Sequence, residues 1–436
     1  MTSKLSVLII IIIGLLSCRS AEYVKIKKMD IPLISIKKSR LFKGQKPYYF
    51  VGTNYWYGPL LGAKKKGDRQ RLIRELDLMK SIGIDNLRIL VGAEGEGESQ
   101  ISPSLQPQQG IYNQDLLDGL DFLLAQMRKR NMYAILYLNN NWNWSGGMAQ
   151  YLKWNGYGDI PKPLTDEYTW DDYQNYTKQF QSCAPCMEAF YKHVKFIMGR
   201  KNRYTKLKYI NDNTIMSWQV ANEPRVMMTP EHEKSYSEWL IETVDLIDSL
   251  DPVHLISTGA EGKAGFLEDL DMYKRLHVNA KIDYLTMHIW PKNWGWYDKN
   301  NEPESLKLSL KKTFEYMDKH IEVARSLNKP IVMSEFGFPR NNESISSLAS
   351  VENRNTYFQD IFKYLLDKKG VNSIFQGLNF WGFAGYGSNN PENGQWKLGD
   401  DFTADPPEEP QGLNSVFASD TITLKLIRDY NKRLTN

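Results

Sequence analysis

The chain has 436 residues and a net charge of +4, with 42% apolar, 24% charged and 12% aromatic residues. That balance excludes a disordered chain, a collagen-like repeat and a disulfide-dense mini-protein, and the length suits two or three domains or one long barrel. The charge is uneven: residues 1–48 hold ten Lys or Arg against Glu22 and Asp30, a segment of +8, so the remaining 388 residues carry −4 and a basic body that would seek nucleic acid is excluded.

At the N-terminus, Lys4 precedes ten almost wholly aliphatic residues, Val7–Leu16. A spanning helix needs about 20, so residues 1–17 read as a signal peptide. The run ends Leu15-Leu16-Ser17-Cys18, which resembles the lipobox of bacterial lipoproteins, where the Cys becomes lipidated. An ordinary secretory peptide cleaved nearby is the alternative. Either predicts an exported protein: the lipobox a cell-envelope one with membrane contact only through a lipid anchor on Cys18, the ordinary peptide a secreted one with Cys18 incidental. Residues 18–33, with Lys25, Lys27 and Lys28, read as a basic tether at a membrane surface, and 34–436 as the folded body.

Ile34–Tyr49 predicts a small hairpin turning near Lys43-Gly44. Eight short runs rich in β-branched and aromatic residues follow, each bounded by turn residues: 49–55, 86–91, 133–139, 215–221, 254–258, 284–290, 331–336 and 377–381. Helical periodicity fills the gaps, most clearly at 71–82, 115–130, 236–250, 306–327 and 357–368. Continuously apolar strands such as Ile331-Val332-Met333 suit a parallel sheet buried on both faces. Eight strand–helix units predict an α/β fold, a single (β/α)8 TIM barrel whose bottom the hairpin closes. The alternative, an open doubly wound sheet, lacks a Gly-rich phosphate loop after the first strand. Long loops at 140–177 and 384–411 mark the C-terminal face as functional.

Cys183-Ala184-Pro185-Cys186 opens a helical stretch. In an oxidising compartment a local disulfide is expected. The six histidines show no metal-ligand spacing, so neither a metal nor a cofactor is expected.

Barrel chemistry sits where strands end. The fourth strand runs into Asn222-Glu223-Pro224, and the seventh ends Ser334-Glu335-Phe336. A carboxylate buried at the end of an apolar strand is costly unless paired or used, and two at one rim form the acid–base pair that glycoside hydrolysis requires. Asn301-Glu302-Pro303 repeats the tripeptide, but it follows Asp298-Lys299-Asn300 and not an apolar strand, so it predicts only a helix start.

Taken together, Gly52-Thr53-Asn54-Tyr55-Trp56, Asn86-Leu87-Arg88, Asn140-Asn141-Trp142, Ala221-Asn222-Glu223-Pro224-Arg225, His288-Ile289-Trp290, Ser334-Glu335-Phe336-Gly337 and Phe380-Trp381 resemble glycoside hydrolase family 5, within its endo-β-1,4-mannanase branch. The resemblance implies Glu223 as general acid/base and Glu335 as nucleophile. It further implies Asn222 on the sugar 2-hydroxyl, Arg88 holding the nucleophile ionised, His288 beside the acid/base and Trp381 under the reacting sugar. Trp290 stands where many members have a tyrosine that hydrogen-bonds the nucleophile; Trp donates only through its indole nitrogen. Asn139-Asn140-Asn141 replaces a third-strand histidine, as in the mannanase branch. Trp56, Trp142, Trp144, Trp154, Trp290, Trp294, Trp296 and Trp381 fall at or after strand ends and are expected as sugar platforms, whereas Trp218 and Trp239 suit the core.

The expectation is a monomeric, retaining endo-acting hydrolase of β-1,4-mannosidic bonds in mannan, galactomannan or glucomannan. An endo-β-1,4-glucanase or a mannan transglycosylase shares the fold, and a non-catalytic surface glycan-binding lipoprotein is a distant alternative.

Overall fold

In the computed structural model the described residues are 31–436 other than 98–99, 164, 166, 371–372 and 390–393. The Val7–Leu16 run, Cys18 and the tether as far as residue 30 lie outside them. Strands β1 (Ile34–Lys37), β2 (Arg40–Lys43) and β3 (Lys46–Pro47) form an antiparallel sheet in that order. The expected hairpin is thus a three-stranded meander. Its first turn uses Lys38 and Ser39, both left-handed at φ 50° and 58°, where no glycine signals a reversal. Ile31, Ile34 and Leu41 pack on Tyr48, Phe50, Tyr133 and Val332 near the starts of the barrel strands, so the meander closes the bottom as expected.

The barrel comprises β4 (Phe50–Asn54), β5 (Asn86–Leu90), β6 (Tyr133–Tyr137), β7 (Ile215–Gln219), β8 (Leu255–Ser257), β9 (Leu285–Ile289), β10 (Ile331–Phe336) and β11 (Phe375–Phe380), all paired in parallel. Every residue of these strands is buried, which is why stretches such as Ile331-Val332-Met333 are apolar on both faces. Among the described residues the β8–β9 seam carries no ladder. Asp283 bridges it: its N–H donates to Ile256 O at 2.9 Å and its carboxylate accepts from Ile256 N at 2.8 Å.

Helices α1 (Gly58–Gly62) and α2 (Arg69–Ser81) follow β4, and α3 (Gln114–Lys129) follows β5. The long 140–177 stretch is partly ordered as α4 (Gly147–Trp154) and α5 (Trp170–Thr177), before α6 (Ala184–Met198). Helices α7 (His232–Leu250), α8 (Leu270–Leu276), α9 (Glu302–Ser326) and α10 (Glu352–Lys368) follow β7 to β10 in turn, and α11 (Thr421–Thr435) ends the chain. The second Asn-Glu-Pro starts α9, with Pro303 in its first turn. Cys183 and Cys186 are disulfide-bonded at the start of α6.

Two anchors place the loops over the barrel mouth. Gly146 and Gly147 have φ of 82° and 53°. A Cβ on Gly146 would lie 1.8 Å from Glu94 O, so only glycine lets the third-strand loop press on the second. The loop after β11 lies between the short paired strands β12 (Phe383–Gly385) and β13 (Val416–Phe417). From α2, Arg71 donates to Ala384 O and Phe402 O at 3.1 and 2.7 Å, and to Glu75 at 2.8 Å. Glu75 in turn accepts from Tyr386 N at 2.8 Å.

Candidate active site

The ends of β7 and β10 deliver Glu223 and Glu335 to one cavity of about 680 Å³ on the C-terminal face. Glu223 sits at φ 49°, a left-handed conformation that a non-glycine residue adopts at a cost of about 1–3 kcal/mol and that clusters at functional sites. One oxygen of each carboxylate and a ring nitrogen of His288 all lie within 4.8 Å of one another. Separations near 5–5.5 Å belong to retaining glycosidases and those above about 6.5 Å to inverting ones.

Each carboxylate has its own donors. Glu335 Oε2 accepts from Arg88 Nη1 at 2.8 Å, and its Oε1 from the Trp290 indole at 2.8 Å. The indole thus makes the contact that the missing tyrosine would have made. Arg88 is completely buried, and Asn54, Gln219 and Asn222 accept three further hydrogen bonds from it at 3.1, 2.8 and 2.7 Å. Glu223 Oε1 meets His288 Nδ1 at 2.7 Å, and its Oε2 accepts from the Trp142 indole. Asn222 donates to Asn140 Oδ1 at 3.1 Å, so the Asn139–Asn141 segment orients the amide beside Glu223.

Burial raises the proton affinity of both carboxyls, and at Glu335 the charge of Glu223 raises it further against the pull of Arg88 and Trp290. At Glu223 burial is opposed by the hydrogen bond and charge of His288, then by Arg225 and Trp142, which together take the pKa down to about 2. The His288 part of that pull is full only while the imidazole is charged. Burial brings His288 itself down to about 4, so at neutral pH it offers Glu223 a hydrogen bond and no charge. Glu335 then keeps the one full positive charge in contact, Arg88. The Arg88–Glu335 contact thus favours the state in which Glu335 is ionised and a proton shared by the pair rests on Glu223.

Trp142, Trp290, Trp294 and Trp381 line the cavity, as does Trp144. Trp381 is 3% exposed, and its indole N–H has no hydrogen-bond partner among the described residues. Trp56 is placed differently from expectation. It is buried behind Trp144, ring centroids 5.5 Å apart, and its N–H donates to Ala404 O at 2.7 Å, so it anchors the eighth loop and offers no face to a sugar. Its position right after β4 suggested the mouth, but the loop from β11 folds over it. Trp218 and Trp239 lie in the core.

Further cavity residues carried no role in the sequence. Arg225 pairs side-on with Glu261, its Nε and Nη2 lying 2.5 and 2.9 Å from the two carboxylate oxygens, and lies 4.6 Å over the Trp142 ring. Glu261, just beyond β8, was findable as another acid at a strand end; burial raises it to about 8. Trp170, from the long third loop, meets Trp142 edge-on at 5.6 Å. Pro406, Glu408 and Glu409 reach the cavity from the anchored eighth loop.

A family model described as GH family 5 beta-mannosidase-like matches residues 32–436. The glycoside hydrolase family 5 mannosidase of Rhizomucor miehei is 33% identical, with a TM-score of 0.85 over 93% of this chain and 98% of that one. A rice protein named mannan endo-1,4-beta-mannosidase 8 is 26% identical over 382 residues, 83% of this chain and 94% of its own length. The endo-beta-1,4-mannanase of Thermotoga petrophila, 23% identical with a TM-score of 0.64 over 89% of this chain and 77% of that one, shares the fold. With the acid pair at the ends of the fourth and seventh barrel strands and a match over the whole described body, the chain belongs to glycoside hydrolase family 5.

Proposed function

We propose that the protein is a retaining endo-acting hydrolase of β-1,4-mannosidic bonds in mannan, galactomannan or glucomannan. The observation that carries this is the pair of carboxylates within 4.8 Å in a cavity walled by Trp142, Trp294 and Trp381. Glu335, ionised against Arg88, attacks the anomeric carbon. Glu223 gives its proton to the departing oxygen, then takes one from the water that hydrolyses the glycosyl-enzyme. Asn222 meets the sugar 2-hydroxyl, His288 orients Glu223, and Trp290 holds Glu335 by its free face. The indole rings stack on the apolar faces of the sugars.

Release of terminal mannose is a second reading. It is favoured by the higher TM-score to the Rhizomucor mannosidase than to the Thermotoga endo-mannanase and by Pro406, Glu408 and Glu409 standing at the cavity. Galactomannan, glucomannan, carboxymethylcellulose and mannopentaose separate the readings. Internal cleavage drops galactomannan viscosity before many reducing ends form, terminal release yields mannose with little loss of viscosity, and cleavage of carboxymethylcellulose alone would mark a glucanase. Mannopentaose elongated to longer products would mark a transglycosylase.

The same proposal places the enzyme outside the cytoplasm as a monomer held by a lipid on Cys18, supported by the aliphatic run that ends at that cysteine. Mass spectrometry of the mature protein is expected to show a lipidated N-terminal Cys18; an unprocessed N-terminus would contradict it.

A further inference from the structure

His288 is completely buried at the end of β9. Its Nδ1 meets Glu223 Oε1 at 2.7 Å and its Nε2 meets Ser334 Oγ at 2.9 Å. The charged groups around the ring are Glu223, Glu335, whose Oε2 lies 3.7 Å from Nδ1, and the more distant Arg88 and Arg225. Burial and the two arginines disfavour the imidazolium, so the ring is neutral at pH 7 and carries its single N–H on one nitrogen or the other.

Ser334 decides which. It is completely buried, and among the described residues its hydroxyl has His288 Nε2 as its one hydrogen-bond partner. If Nε2 carried the proton, it would donate to Ser334 Oγ, and the serine hydrogen would be left buried with no acceptor, a state proteins avoid. The bare Nδ1 would then face Glu223 Oε1 and demand the acid proton on that oxygen. With the proton on Nδ1, the Ser334 hydroxyl donates to Nε2, Nδ1–H donates to Glu223 Oε1, and each hydrogen in the chain has an acceptor.

We propose that Ser334 is a positioning residue for the general acid: its hydroxyl holds His288 as the Nδ1–H tautomer, which reserves Glu223 Oε1 as an acceptor and confines the transferable proton to Oε2. Oε2 is the oxygen on the side of Trp142, and Trp142 lines the cavity. The arrangement persists through the reaction. When Oε2 gives its proton to the leaving oxygen, the new carboxylate still receives Nδ1–H, and when water later attacks, its proton returns to Oε2. The imidazole never has to exchange its own proton. This rests on the reading of Glu223 as the acid/base.

The test combines 15N NMR of histidine-labelled protein with kinetics on two mannosides. In the wild type, His288, assigned by comparison with His288→Asn, is expected to show a protonated Nδ1 and a bare Nε2; a protonated Nε2 overturns the proposal without need of any Ser334 variant. Ser334→Ala is expected to lose the bias to Nδ1–H, and Ser334→Thr, which keeps the hydroxyl, to retain it. In Ser334→Ala, kcat/KM on mannopentaose, whose leaving group needs the acid, is expected to fall on the order of tenfold, the worth of about one buried hydrogen bond. On 2,4-dinitrophenyl β-mannoside, whose leaving group needs no proton, it is expected to stay near the wild-type value. An equal loss on both substrates overturns the proposal, because Ser334 would then act on the adjacent Glu335 or on packing. A wrong substrate assignment shows separately, as a wild type inactive on both mannosides with the tautomer result still readable.

Discussion

Arg88 Nη1 donates to Glu335 Oε2 at 2.8 Å inside the barrel, where the guanidinium is fully buried and the carboxylate nearly so. Removing one partner of a buried pair leaves the other's charge uncompensated, at a cost of about 3–5 kcal/mol. Arg88→Met is therefore expected to lose about that much stability in urea denaturation. Its kcat/KM should fall by more than about a hundredfold through a protonated nucleophile. Arg88→Lys keeps the charge but cannot fill the Asn54, Gln219 and Asn222 contacts together, and an intermediate loss is expected.

The pH dependence follows from one proton shared by two carboxyls. Below the first apparent pKa both are protonated and Glu335 cannot attack, so activity falls as pH falls. Above the second, which burial and the repulsion between the two carboxylates raise, Glu223 is ionised and cannot protonate the leaving group, so activity falls as pH rises. A bell-shaped kcat/KM profile is expected. Glu335→Gln removes the repelling charge, so the Glu223 carboxyl should titrate at lower pH than in the wild type, readable by 13C NMR of labelled glutamate. An unchanged titration would mean the two do not share a proton.

Trp142 donates to the ionised form of Glu223 and so lowers its pKa. Trp142→Phe keeps a ring beneath Arg225 but loses the donor. The alkaline limb of kcat/KM should move to higher pH, and kcat/KM at the optimum should fall by about three- to tenfold from the lost hydrogen bond and smaller platform.

Much of the barrel and the acid pair was legible in the sequence because the signals are local. Ile331-Val332-Met333 is apolar throughout because both faces of β10 are covered, and Glu335 at its end is conspicuous for breaking that run. What escaped depends on partners far along the chain. Nothing near Trp56 says that Ala404 will cover it, nor near Asp283 that it will stitch β8 to β9. Nothing near Ser334 says that β9 will set His288 beside it. Arg71 and Glu75 have the i,i+4 spacing common on exposed helix faces, yet both are buried under residues some 310 positions away.

That pair carries its own prediction. Glu75→Ala leaves Arg71 buried with only the partly exposed Asp401 carboxylate, 3.6 Å from Nη1, and frees Tyr386 N, with an expected loss of up to about 3–5 kcal/mol. Because the loop it holds brings Pro406, Glu408 and Glu409 to the cavity, KM on mannopentaose should rise more than kcat falls. A variant that loses stability with KM unchanged would show the loop has no part in holding substrate.

In the proposed retaining reaction Glu335 forms the covalent bond to the sugar. Incubation with 2-deoxy-2-fluoro-β-mannosyl fluoride, which slows hydrolysis of the glycosyl-enzyme, followed by proteolysis and mass spectrometry, tests it most directly. A stoichiometric fluoromannosyl adduct on Glu335, absent from Glu335→Ala, is expected. Turnover with no adduct, or an adduct on Glu223 or another residue, would contradict it.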